Sequence, residues 1–180
     1  MLDISHDFVR DCSKKYNERQ KTKDRQDEEN IRAWIAERPE PKFLDKDHFI
    51  KIGEWKTRRP KKYFEANDET LVKEATQLAY NVSNERLKLH ILTVLKGVQV
   101  AVASTILHFL QPDEFPIFDV RARKSLKKAG RWNRHADDAD VEAWLEYTNI
   151  MRCISRKLGV SLRELDKALW AYDKWDGRGQ

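Results

Sequence analysis

The residue with the most chemical promise is Asp119, in the run Pro116-Ile117-Phe118-Asp119-Val120-Arg121. It stands just before a helical stretch that continues Ala122-Arg123-Lys124-Ser125-Leu126. A single carboxylate so placed can steady a developing positive charge or orient a water molecule. Asp before a helix is also the ordinary N-cap. The two roles are compatible, because a helix N-terminus favours negative charge. Arg121 and Arg123 follow closely and have two readings, contact with phosphates or plain surface pairing with carboxylates.

A second stretch that could bind is the turn Leu95-Lys96-Gly97-Val98-Gln99. Main-chain N–H groups from Gly97 to Val100 could face a phosphate at the start of the following helix. An ordinary tight turn between two helices is the plainer alternative. A third stretch is Trp55-Lys56-Thr57-Arg58-Arg59-Pro60-Lys61-Lys62-Tyr63-Phe64, the densest basic cluster, interleaved with aromatics. Lys56, Arg58 and Arg59 suit a nucleic-acid backbone, and an aromatic face can stack on a base. The alternative is a solvated basic loop whose Trp55 and Phe64 plug into the core.

Other chemistries find no footing. The histidines (His6, His48, His90, His108 and His135) lack paired i, i+4 spacing, and Cys12 and Cys153 have no close metal-ligand partner, so no metal site is expected. There is no phosphate-binding glycine loop and no serine nucleophile elbow. Two distant cysteines do not make a disulfide framework and fit a reducing, cytoplasmic setting. Residues 1–10 are mixed polar, so no secretory leader is expected, and no apolar run is long enough to span a membrane. The net charge of +5 and pI near 9.1 favour a polyanionic partner.

The elements that must position these groups all read as helices. Leu87, Ile91, Val94 and Leu95 recur at helical spacing, and Gly97 follows as a stop. Val102, Ala103, Ile106, Leu107 and Leu110 belong to a helix apolar nearly all round, which therefore belongs in the middle of the fold. Pro112 and Pro116 bracket the exit loop. Upstream, Phe8, Val9, Cys12 and Tyr16, then Ile31, Trp34 and Ile35, mark two highly charged helices. Asp45 or Asp47 caps a helix to Ile52, and Asn67 or Asp68 caps one bearing Leu71, Val72, Ala75, Leu78 and Ala79. Downstream, Val141, Trp144, Leu145, Thr148, Met151 and Leu158 line a long helix that Gly159 stops, and Ser161-Leu162-Arg163-Glu164 is a capping box. No period-2 alternation or repeat is found. The expected fold is all-α, a single domain over 1–180. It comprises charged helices over 1–40, a helix-hairpin-helix over 84–111, a proline loop with Asp119 and its helix over 112–130, and C-terminal helices over 140–175.

The hairpin Leu95-Lys96-Gly97-Val98-Gln99, the small-residue helix through Ala103 and Ser104, the Pro112–Pro116 loop and Asp119 occur together and in order. In this the chain resembles the helix-hairpin-helix (HhH-GPD) superfamily of base-excision DNA glycosylases, the endonuclease-III-like group. The resemblance implies a hydrolase that cuts the N-glycosidic bond of a damaged, modified or mismatched base flipped from duplex DNA, with Asp119 as catalytic carboxylate. It implies backbone contacts from Lys96, Gly97, Val98, Gln99 and Val100. Trp55, Tyr63, His108 and Trp132 are candidates for the base pocket, each with a core or surface alternative. Gln99 replaces the second hairpin glycine, which would make a positive φ there costly. Ala101 occupies the position of the lyase lysine, which implies the monofunctional branch, without a Schiff base. No cofactor is expected, and two cysteines cannot build the four-cysteine iron–sulfur cluster of many relatives. The expected working form is a monomer on double-stranded DNA, cytoplasmic and associated with nucleoid or nuclear DNA. A non-catalytic helix-hairpin-helix DNA-binding module is the main alternative. A protein–protein adaptor using the charged N-terminal helices is a third.

Overall fold

The computed structural model describes residues 2–57, 60–135 and 139–176. Along them run ten α-helices: α1 (His6–Arg19), α2 (Thr22–Ala36), α3 (Lys46–Lys56), α4 (Lys62–Glu65), α5 (Glu69–Asn81), α6 (Glu85–Leu92), α7 (Val100–Leu110), α8 (Val120–Lys128), α9 (Val141–Leu158) and α10 (Leu162–Ala171). The last runs into a π-helical turn at Tyr172–Asp176. No strand occurs among the described residues, and the all-α expectation holds.

Local chemistry sets most of the helix starts. Ser5, Asp45, Asp68, Asn84, Asp119, Asp140 and Ser161 each accept a hydrogen bond from an N–H of the first turn, which has no partner within the helix. Ser161 and Glu164 form the full reciprocal capping box. α9 ends at Gly159 with φ 65°, in the left-handed region that glycine enters without a Cβ clash.

The chain folds as two compact units, Met1–Gln20 with Asp113–Gln180, and Lys21–Pro112. The two charged N-terminal helices therefore part company: α1 packs on α10, while α2 packs on α3 and α7. In the first unit α10 buries Leu162, Leu165, Ala168, Leu169 and Ala171 against α1, α8 and α9. α1 contributes Val9, Cys12 and Tyr16, with the Tyr16 ring edge-on to Trp170 at 5.2 Å. α9 buries Ala143, Trp144, Tyr147, Thr148 and Met151.

In the second unit α7 is the central element, buried from Val102 through Leu110 and touched by α2, α3, α5 and α6. α6 differs from its expected orientation. Leu87 and Val94 face solvent at 49% and 61% exposure, whereas Lys88, Leu89 and Leu92 are buried, followed by Leu95 in the turn. Two apolar stripes compete on this helix, and a lysine lies on the one that wins. Lys88 can be buried because its ammonium donates to the carbonyls of Ala79 (2.9 Å) and Tyr80 (2.8 Å) and to Gln111 Oε1 (3.0 Å). The first two lie at the end of α5, where a helix concentrates negative potential.

Candidate functional site

Asp119 belongs to the first unit. It caps α8, with Oδ1 accepting from the Arg121 N–H at 2.9 Å, and its side chain is half-buried. The backbone leading to it is fastened from below. The Tyr147 hydroxyl donates to the Ile117 carbonyl at 3.0 Å, and the Tyr147 ring meets Phe118 edge-on at 5.2 Å. Phe118 is fully buried, and the Arg123 guanidinium lies 4.0 Å from its ring centroid. α8 is held to α10 by the Ser125 hydroxyl, which donates to the Leu169 carbonyl at 2.6 Å. The Tyr147 hydroxyl is pushed well above its ordinary pKa, first by burial and then by the charges of Asp166 and Asp119.

The two arginines beside Asp119 are already engaged. Arg121 pairs with Asp173 at 3.0 Å and lies over the Trp170 ring. Arg123 is 4% exposed, enclosed in the packing against Phe118. A phosphate contact by either would require these interactions to be given up. Trp132 lies in the same unit, 2% exposed, edge-on to Tyr147 at 6.2 Å.

The hairpin belongs to the second unit. α6 ends at Leu92, the Val98 N–H donates to the Leu95 carbonyl at 3.1 Å, and α7 begins at Val100. Gly97 has φ 86°, and a Cβ there would lie 3.0 Å from the Phe64 ring and 3.3 Å from the Tyr63 Cβ. Conformation and space both require glycine at this position. Gln99 has φ −115° and ψ 177°, an extended conformation open to any residue. The strain expected from replacing the second glycine does not arise. Ala101 is half-buried in the first turn of α7, and its carbonyl accepts from the hydroxyls of Ser104 and Thr105.

Asn67 holds this turn, a role its sequence position did not reveal. Its Oδ1 accepts from the Lys96 N–H at 2.7 Å, and its Nδ2 donates to the Lys96 carbonyl at 3.0 Å and the Phe64 carbonyl at 2.9 Å. The available signal was a surplus: two adjacent residues could cap α5, and Asp68 alone does so. Tyr147 was also missed, though it lies one helical turn from both Trp144 and Met151.

The remaining candidates lie as follows. Lys96 is exposed, Lys56 is half-buried, and Arg58 and Arg59 lie outside the described residues. Trp55 is half-buried, with Nε1 donating to the Asp24 carbonyl at 3.0 Å and its ring edge-on to Phe109. His108 is fully buried beside Arg32. Tyr63 is 47% exposed. Of the four aromatic pocket candidates, Tyr63 alone presents its ring broadly to solvent. Among the described residues no group of His, Cys, Asp and Glu is arranged to hold a metal ion, and no helix is long and apolar enough to cross a membrane. Both cysteines are free, Cys153 exposed and Cys12 buried, with burial pushing the Cys12 thiol up to about 11. No family model, curated protein or solved structure matches this chain.

Proposed function

We propose that the protein is a monofunctional DNA N-glycosylase. The observation that carries this reading is the setting of Asp119: a half-buried carboxylate at the head of α8, on a backbone pinned by Tyr147 and Phe118. Beneath a flipped nucleotide such a carboxylate stabilises the positive charge that grows on the sugar as the base departs. Water bonds to C1′ on hydrolysis, the N-glycosidic bond breaks, and the base leaves with a proton. In the Lys21–Pro112 unit the Lys96 and Val98 N–H groups are held by Asn67 and Leu95, and it is the first turn of α7, which has no side-chain cap, that suits one DNA phosphate, a contact that carries no sequence information. Ala101 offers no amine, so water is the nucleophile.

The test is a panel of duplexes, each with one altered base, scored by free base released and by alkaline cleavage of the abasic site. Asp119→Asn is expected to slow base release by about 10²-fold or more, the scale of a lost transition-state charge contact, while duplex binding persists. Borohydride is expected to trap no covalent adduct. Undiminished base release by Asp119→Asn overturns the mechanism. Duplex binding without base release from any substrate leaves a DNA-binding module.

A further inference from the structure

We infer that α4 and the hairpin form one surface for a nucleic-acid backbone, on which Lys62 and Tyr63 contact the phosphate next to the one at the hairpin while Asn67 holds the two parts in register. The inference rests on the DNA reading of the hairpin and extends it to residues that reading does not include.

Three observations within the Lys21–Pro112 unit carry it. First, the two parts touch. The Tyr63 Cβ is 3.3 Å from the position a Cβ on Gly97 would take, and the Phe64 ring fills the space beside that glycine. Second, neighbouring residues on the short α4 point opposite ways. Phe64 is fully buried, whereas Tyr63 is 47% exposed, with the Lys62 ammonium 5.5 Å from its ring centroid. An exposed phenol with an ammonium over its ring suits a phosphate group: the hydroxyl donates a hydrogen bond and the ammonium supplies charge. Lys61 is less suited, because Glu65 holds its ammonium at 3.2 Å. Third, the register is locked from beneath. Asn67 is 3% exposed and grips both main-chain groups of Lys96, while its Nδ2 also donates to the carbonyls of Phe64 (2.9 Å) and Tyr63 (3.3 Å). One amide thus ties the backbone under Tyr63 to the backbone of the turn. A surface held so needs little ordering when a rigid polyanion arrives.

Tyr63 accordingly serves the DNA backbone and not the base pocket. Its partner is duplex DNA of any sequence, because a phosphate contact carries no base information.

The experiment uses the full chain and an unmodified duplex, with affinity measured across a salt series. Lys62→Ala is expected to weaken binding and to make the slope of log affinity against log salt shallower by about 0.9, one phosphate's worth of counterion release. Lys23→Ala removes the same charge from α2 and is expected to leave the slope unchanged. Tyr63→Phe is expected to lose a few-fold in affinity by removing the hydroxyl. Asn67→Asp keeps the shape and the acceptor for the Lys96 N–H but loses the donors, and is expected to shrink the effect of Lys62→Ala to less than twofold. Equal slopes for Lys62→Ala and Lys23→Ala overturn the inference and leave the hairpin reading standing. A Tyr63→Phe variant that binds as the unmodified chain does, with binding lost in Tyr63→Ala, marks the ring as a stacking group and overturns the phosphate contact. No salt-dependent duplex binding by the unmodified chain overturns the DNA reading and this inference together.

Discussion

Nη2 of Arg32 lies 2.8 Å from Nε2 of His108, and the pair pins α2 to α7. A guanidinium carries only donors, so the imidazole nitrogen must accept. This sets the tautomer: a neutral ring with its proton on Nδ1. The same guanidinium donates to Glu28 Oε1 through Nε (3.3 Å) and Nη2 (3.2 Å) and lies over the Phe109 ring. His108 is thereby part of the packing. An ¹⁵N spectrum at neutral pH is expected to show Nε2 unprotonated. His108→Leu removes the acceptor while keeping the apolar bulk and is expected to cost about 1–3 kcal/mol in urea unfolding. A protonated Nε2, or unchanged stability, would contradict the assignment.

Tyr147 makes alkaline stability a readout of the packing under Asp119. Burial, then the charges of Asp166 and Asp119, hold its hydroxyl well above 10 in the folded protein. In the unfolded chain it ionises near 10. Its contribution is therefore complete below about pH 10 and is lost as pH rises from there toward the folded value. Tyr147→Phe is expected to cost about 1 kcal/mol at neutral pH, the hydrogen bond to the Ile117 carbonyl, and to flatten the alkaline limb. Urea midpoints followed through the alkaline range check this. An equally steep alkaline loss in the variant would assign that limb to other groups.

Lys88 tests whether a buried ammonium is structural here. Lys88→Met leaves the Ala79 and Tyr80 carbonyls without their donor but also removes the burial of a charge. The first effect is the larger, because three hydrogen bonds to a charged group go at once; a net loss of about 1–3 kcal/mol is expected. Faster amide exchange at the last turn of α5 would locate the damage. A variant more stable than the parent would show that the carbonyls find other partners.

Helix positions and caps were readable without a structure, because a cap acts over three or four residues. Asp45, Asp68, Asn84 and Ser161 mark helix starts by side chains that reach the N–H three positions on. Gly159 marks the stop of α9 for an equally local reason, a positive φ, whereas α6 ends earlier than its glycine suggests, at Leu92 with Thr93 as cap, and Gly97 takes its positive φ within the turn. The nearly unbroken apolar run of α7 placed it at the centre of its packing. The candidate site was legible to the same extent: the acid heading a helix and the glycine turn stand where their local chemistry puts them.

The buried faces of α1, α9 and α10 followed from their apolar spacing, but that of α6 did not. α6 carries apolar residues on two sides, and the choice fell to the side with Lys88 because α5 presents carbonyls there. Arg123 reads as a surface cation and is enclosed, its guanidinium packed over the Phe118 ring. Asn67 and Tyr147 are unremarkable in sequence and hold the backbone beside Gly97 and Asp119 respectively. By itself the sequence determined an all-helical chain, its punctuation and the few residues with chemistry in them, since each depends on near neighbours. Only the tertiary structure decided the assignment of α1 and α2 to different units, the buried face of α6 and the side chains beneath the candidate site. Those depend on partners distant along the chain, and helical periodicity describes a stripe without saying what will cover it.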